Sequence, residues 1–188
     1  MNGTTTHGLT AETKNRLLLD GGAIYLHYGL PEEKILSATN GGNTFQVEIE
    51  TRNVEVDGIN SQHIKGLTLK VRETATLAVN LLEMTTENFK MALMGQVDTA
   101  IDPDYDIISG KPTIDDDDFI DNIAFAGTIS GSAKPVIIIL KNVLNLEGFE
   151  LGAENENDNT LPVTFTAHNS IETPDESPYE IKYPKPTV

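Results

Sequence analysis

The side chains with most scope for chemistry in this chain are its carboxylates. Asp98, Asp102, Asp104 and Asp106 are followed by the unbroken run Asp115, Asp116, Asp117, Asp118 and then Asp121. Clustered carboxylates can hold calcium, which takes several oxygen ligands, or can supply an acid and base for glycoside hydrolysis. The spacing supports neither: an EF-hand loop needs alternating acids, a glycine and a distal glutamate, whereas consecutive aspartates point in different directions. The alternatives for the run are a solvated loop or a loop that repels DNA. Asn155, Glu156, Asn157 and Asp158 read the same way.

Other chemistry is sparse. The histidines, His7, His27, His63 and His168, form no close ligand pair and read as structural or surface residues. No serine sits in a nucleophile elbow. Gly127 to Lys134 superficially resembles a phosphate loop, but it lacks the Gly-Lys-Ser/Thr ending and a following helix, so it reads as a turn between strands. With no cysteine, neither a disulfide nor a thiolate metal site can form. The expectation is a chain that is not an enzyme and takes no cofactor.

The elements that would position these residues are mostly strands. Phe45, Val47 and Ile49 alternate with Gln46, Glu48 and Glu50, and Val54 and Val56 continue on the opposite parity, so a turn or bulge is expected around Thr51 to Asn53. From Leu67 to Leu81 the odd positions are apolar except Glu73, and the even ones include Thr74, Thr76 and Asn80. Such a strand would run about 50 Å, long for a compact domain, so it bends at Glu73 or enters a sheet shared between subunits. A short helix follows, capped by Thr85 or Thr86, with Phe89 and Leu93 packing on a sheet and Gly95 as its stop. A second helix over Ala11 to Leu19 is possible.

Positions 96–132 form a long acidic loop. Strands return at Val136 to Leu140, Phe149 to Ala153, Leu161 to Ala167 and Tyr179 to Tyr183, an antiparallel meander. The domain plan is an N-terminal arm at 1–8, one domain at 9–184 and a C-terminal end at 185–188. Met1 to Gly8 does not read as a signal peptide, and the longest apolar run is far too short to span a membrane.

Thirteen Lys and Arg against 29 Asp and Glu give a net charge of −16. This surface repels phosphate and does not fit a protein that grips nucleic acid.

Four stretches together resemble the major tail proteins, or tail tube proteins, of long non-contractile phage tails. They are Arg16 to Tyr25 with Tyr28-Gly29; Gly41 to Phe45 leading to Val56-Asp57-Gly58; Lys70 through Leu81 and Thr85 to Gly95; and Gly148 to Leu151, Leu161 to His168 and Pro178 to Pro184. Outside 96–132 the resemblance covers most of the chain.

The resemblance implies a mainly β, antiparallel β-sandwich with a short flanking helix, its sheets closing into a ring barrel on oligomerisation. Hexameric rings would stack into a tube through which double-stranded DNA passes without specific binding. The polar strand faces, Gln46, Glu48, Glu50, Thr74, Thr76 and Asn80, would line the lumen. Leu77, Val79 and Leu81 would form core, with Phe89 and Leu93 packing the helix. Asp115 to Asp118, the N-terminal arm and the C-terminal tail are candidates for contacts between rings. Implied partners are further copies of the chain, tape measure, tail terminator and baseplate or initiator proteins, with no membrane. The implied location is the virion tail tube, assembled in the host cytoplasm. A tube protein of a contractile injection machine and a calcium- or carbohydrate-binding module are the competing readings.

Overall fold

A computed structural model describes residues 7–59, 64–156 and 158–185. The N-terminal arm is thus described only at His7 and Gly8, while His63 and positions 186–188 lie outside the described residues. The described chain is mainly β and antiparallel, with one short α-helix.

Eight strands form one hydrogen-bonded network that folds over on itself. One half contains β1 (Ala23–Leu26), β2 (Lys34–Ile35), β7 (Ile120–Gly127), β8 (Val136–Asn145) and β10 (Tyr179–Lys182). The other contains β3 (Thr44–Asn53), β4 (Thr68–Leu81) and β9 (Leu161–Thr166). β8 belongs to both, pairing β10 over Ile137 to Leu140 and β9 at Leu144 and Asn145. Between those stretches Asn142 takes a left-handed φ of 46°. His168 fixes this corner: its backbone N–H donates to the Lys141 carbonyl, and Asn142 Nδ2 donates to the His168 carbonyl. Ile24, Leu26, Ile123, Phe125 and Leu140 of the first half share one core with Leu77, Val79, Leu81, Val163 and Phe165 of the second, a β-sandwich arrangement.

The helix α1 (Thr86–Leu93) begins as expected: Thr85 Oγ1 accepts from the Asn88 N–H at 3.1 Å. Its packing face differs from expectation. Asn88 and Ala92 are buried, Phe89 is half-buried against Phe149, and Leu93 is exposed. The i, i+4 spacing of Phe89 and Leu93 marks only one edge of the contact, and the sheet meets the helix through the neighbouring stripe. Two buried amides tie the helix down: Asn88 Nδ2 donates to the Glu83 carbonyl, and Asn145 Nδ2 to the Ala92 carbonyl at 2.7 Å, one of the carbonyls left open at a helix end. The helix ends at Met94, which adopts the left-handed cap conformation. Gly95 serves a different purpose, since a Cβ there would lie 2.7 Å from the Ser109 carbonyl oxygen.

Three further expectations are corrected. Positions 96–132 are not one loop. They hold the hairpin β5 (Gly95–Asp98) and β6 (Ile107–Gly110), a 3-10 turn at Asp116–Asp118, and β7, whose Ile123 and Phe125 are core residues. Ala11 to Leu19 contains only a 3-10 turn at Thr13–Asn15, because the leucines that follow pair with the chain ahead of β8 instead: Ser130 N–H donates to the Leu17 carbonyl and Leu19 N–H to that of Thr128. Phe149 to Ala153 is not a strand; Gly148 turns at φ 68° with its carbonyl held by Asn145, and Phe149 is sent against the helix.

Candidate functional site

The β3–β4 hairpin is the element least absorbed by the fold. It pairs from Thr44 opposite Ala78 to Asn53 opposite Thr68, with a register shift between Glu50 and Thr51. The expected irregularity is there, and it is accommodated on β4: Glu50 faces Arg72 and Thr51 faces Lys70, so Val71 is the extra residue. The bulge reverses the faces beyond it. Leu69 consequently sits opposite Arg52, on the Glu50 side, and does not continue the apolar row of Leu77.

Up to Val47 the hairpin lies on the core. Beyond it the two strands run on as a ribbon, with Ile49 58%, Val71 52% and Leu69 41% exposed. β3 is also the last strand in the order, so its outer edge is unpaired among the described residues. At the ribbon base Glu73 accepts from Tyr179 Oη at 3.0 Å and from Lys70. The Lys70 ammonium holds the Glu73 carboxyl below its usual range, while burial, reinforced by Glu73, pushes the Tyr179 phenol up. Tyr179 also lies 5.6 Å from the Phe45 ring, so one side chain of β10 joins the sandwich halves where the ribbon departs.

The two outer faces of the sandwich have opposite chemistry. On the β3–β4–β9 side, Gln46, Glu48 and Glu50 are exposed and Thr74, Thr76 and Asn80 half-buried. Thr76 pairs across to Gln46 and to Thr166, so these side chains share the face away from Leu77, Val79 and Leu81, which are at most 1% exposed. The residues expected to share a polar face do so. On the opposite side Tyr25, Ala124 and Ile139 lie in register, partly sheltered by Tyr28, over which Lys182 places its ammonium.

The aspartate run is largely solvated, as expected, but Lys111 ties two of its members down. Lys111 Nζ lies 2.8 Å from Asp115 and 2.7 Å from Asp118, and the Asp118 side chain is 8% exposed. Hydrogen bonding from the Asp115 backbone N–H, then Lys111, keeps the Asp118 carboxyl below its usual range. Asp116 and Asp117 are exposed. Among the described residues no group of three or more His, Asp or Glu could hold a metal ion. His27 lies 3.4 Å from Asp121, and His168 packs edge-on against Phe119.

A cleft of about 190 Å³ runs beside α1, with Met91, Met94 and Ile120 in its walls and Lys90 and Asp118 at its mouth. A second, about 150 Å³, lies by the N-terminal segment. Among the described residues no helix is long and apolar enough to cross a membrane.

Sequence reasoning missed the ribbon as a separate element, β7, and the buried Asn88 and Asn145. β7 had a signal in the alternation of Ile123 and Phe125 within the acidic stretch, and the ribbon had one in the excess length of the strand from Leu67 to Leu81. The chain matches no model of a known protein family, and no curated protein is significantly similar to it.

Proposed function

We propose that this chain is a self-assembling structural subunit of the tail-tube type, whose copies form stacked hexameric rings around a channel for DNA. One observation carries the reading: a two-stranded ribbon leaves the sandwich with Ile49 of β3 and Val71 and Leu69 of β4 in water, and the outer edge of β3 is unpaired among the described residues. An exposed apolar edge of this length is an aggregation hazard in a monomer and an asset in a subunit, where a neighbouring copy pairs it and covers its side chains. The reading then assigns the Gln46, Glu48, Thr74 and Thr76 face to the lumen. A wall of hydroxyls, amides and carboxylates on a chain of net charge −16 lets a phosphate backbone pass without adhering. Closure of the sheets into a ring removes the remaining edges.

Sedimentation velocity over a concentration series tests this. Wild type is expected to shift to large species, while the double variant Ile49→Ser, Val71→Ser keeps its circular dichroism and stays monomeric. Assembly of that variant at wild-type concentrations would sink the assignment of the ribbon.

A further inference from the structure

The antiparallel pair β8–β10 has two dissimilar ends. Tyr179 pairs with Leu140 and Lys182 with Ile137, so the residues before β10 lie at one end and those after it at the other. At the first end a turn over 169–177 presents Ile171, which is 95% exposed. The turn is tightly bonded: Thr173 N–H donates to the Ser170 carbonyl, Glu172 N–H to Ser170 Oγ, and Asn169 Nδ2 to the Pro174 carbonyl. Ile171 is therefore held out by an ordered turn rather than by a loose one. Its rim carries three exposed acids, Glu172, Asp175 and Glu176. Lys141 lies 4.0 Å from Glu176, and Lys70 and Arg72 line a shared cleft with Asp175 and Glu176. That leaves Glu172, beside Ile171, as the acid nearest the knob in sequence.

At the other end lies the cleft of about 150 Å³, with Ile129, Tyr183 and Pro184 in its walls and Arg16, Lys185 and Glu12 around it. It has room for a single aliphatic side chain and is small for a cofactor. One of its walls is fixed. A Cβ on Gly131 would meet the Asn15 carbonyl oxygen at 2.3 Å, so the two backbones touch, and Leu17 N–H donates to Ser130 Oγ at 3.0 Å. In a chain with 29 acids and 13 Lys and Arg, a cleft with Arg16 and Lys185 on its rim stands out against the prevailing charge.

We infer that the Ile171 turn of one copy seats in the Arg16–Lys185 cleft of a second copy, the isoleucine filling the cleft and its flanking acids facing the two cations. The inference rests on the self-assembly reading and names a surface pair for it, separate from the ribbon. An apolar anchor and Glu172 face an apolar cleft with two cations. The turn and one wall of the cleft are pre-ordered, which limits the freedom lost on docking. Knob and cleft lie at opposite ends of the same strand pair, so the contact is head-to-tail. It adds copies in series and leaves a free knob and a free cleft at each step.

The chain has no native cysteine, which permits a clean test. Glu172→Cys protein mixed with Asn15→Cys protein and oxidised is expected to give a mixed disulfide-linked dimer. Each variant alone, and Glu172→Cys mixed with Glu48→Cys, is expected to give none. Independently, Arg16→Glu with Lys185→Glu should raise the concentration needed for assembly about tenfold, because it sets like charges against the Ile171 turn. Adding Glu172→Lys with Asp175→Lys in the same chain should restore it. If wild type assembles but the mixed cross-link does not exceed the Glu48 control, this contact is wrong and the assembly reading stands. A wild type that stays monomeric, together with no mixed cross-link between the Glu172→Cys and Asn15→Cys proteins, overturns both.

Discussion

Val47 and Ile49 are two residues apart on the same face of one strand, yet Val47 packs on the core and Ile49 is 58% exposed. The partner strand also passes from buried to exposed, with Leu77 fully buried and Val71 52% exposed, although there the bulge at Val71 breaks the face as well. One hairpin thus contributes a sandwich wall at one end and an uncovered ribbon at the other. What separates the halves is whether the other sheet reaches over them. β10 is the last to do so, through Tyr179, and the bulge at Val71 comes just beyond. The same alternation serves folding within the sandwich and, on our proposal, assembly outside it.

The comparison predicts a gradient of effects along the hairpin. Within the sandwich, Leu77→Ala should cost about 3–5 kcal/mol in denaturant unfolding, the cost of a cavity that cannot collapse. A cost near zero would mean that the halves of the hairpin are not distinct. At the junction, Tyr179→Phe keeps the ring against Phe45 and removes the hydrogen bond to Glu73, for about 1 kcal/mol by the same measurement.

Acid should act at the same place. The Glu73 carboxyl is depressed when folded, so its contribution is complete above the ordinary glutamate range and fades as pH falls through the depressed value. Thermal melts should show stability declining on that descent, with a shallower decline in Glu73→Gln; parallel declines in both proteins would contradict the assignment. Out on the ribbon, Val71→Ser should change stability by less than about 0.5 kcal/mol, as for other exposed positions. A loss comparable to that of Leu77→Ala would show the ribbon to be folded against something.

Much of this arrangement was legible in the sequence. Leu77, Val79 and Leu81 read as core because period-2 alternation defines faces, and Thr85 read as a cap because its hydroxyl can meet an open N–H. The irregularity near Thr51 followed from the parity change at Val54. Alternation cannot say which stretch of a face is covered, however, because the cover comes from β10, more than a hundred residues away in the chain. It also failed at Leu69, where the extra residue Val71 flips the pattern without changing composition. Leu93 was misjudged because a short helix on a sheet can rest on either of two adjacent stripes, and the buried amides of Asn88 and Asn145 chose the other. Of the candidate surfaces, the polar row from Gln46 to Glu50 and from Thr74 to Asn80 could be read ahead. The Ile171 turn and the Arg16–Lys185 cleft could not, since only the pairing of β8 with β10 sets them at opposite ends.

The most direct test of the central claim is electron microscopy of the purified, full-length wild-type chain at rising concentration. Rings or tubes with a central channel are the predicted result. A chain that remains a dispersed monomer at every concentration, with initiator proteins present as well as absent, would contradict it.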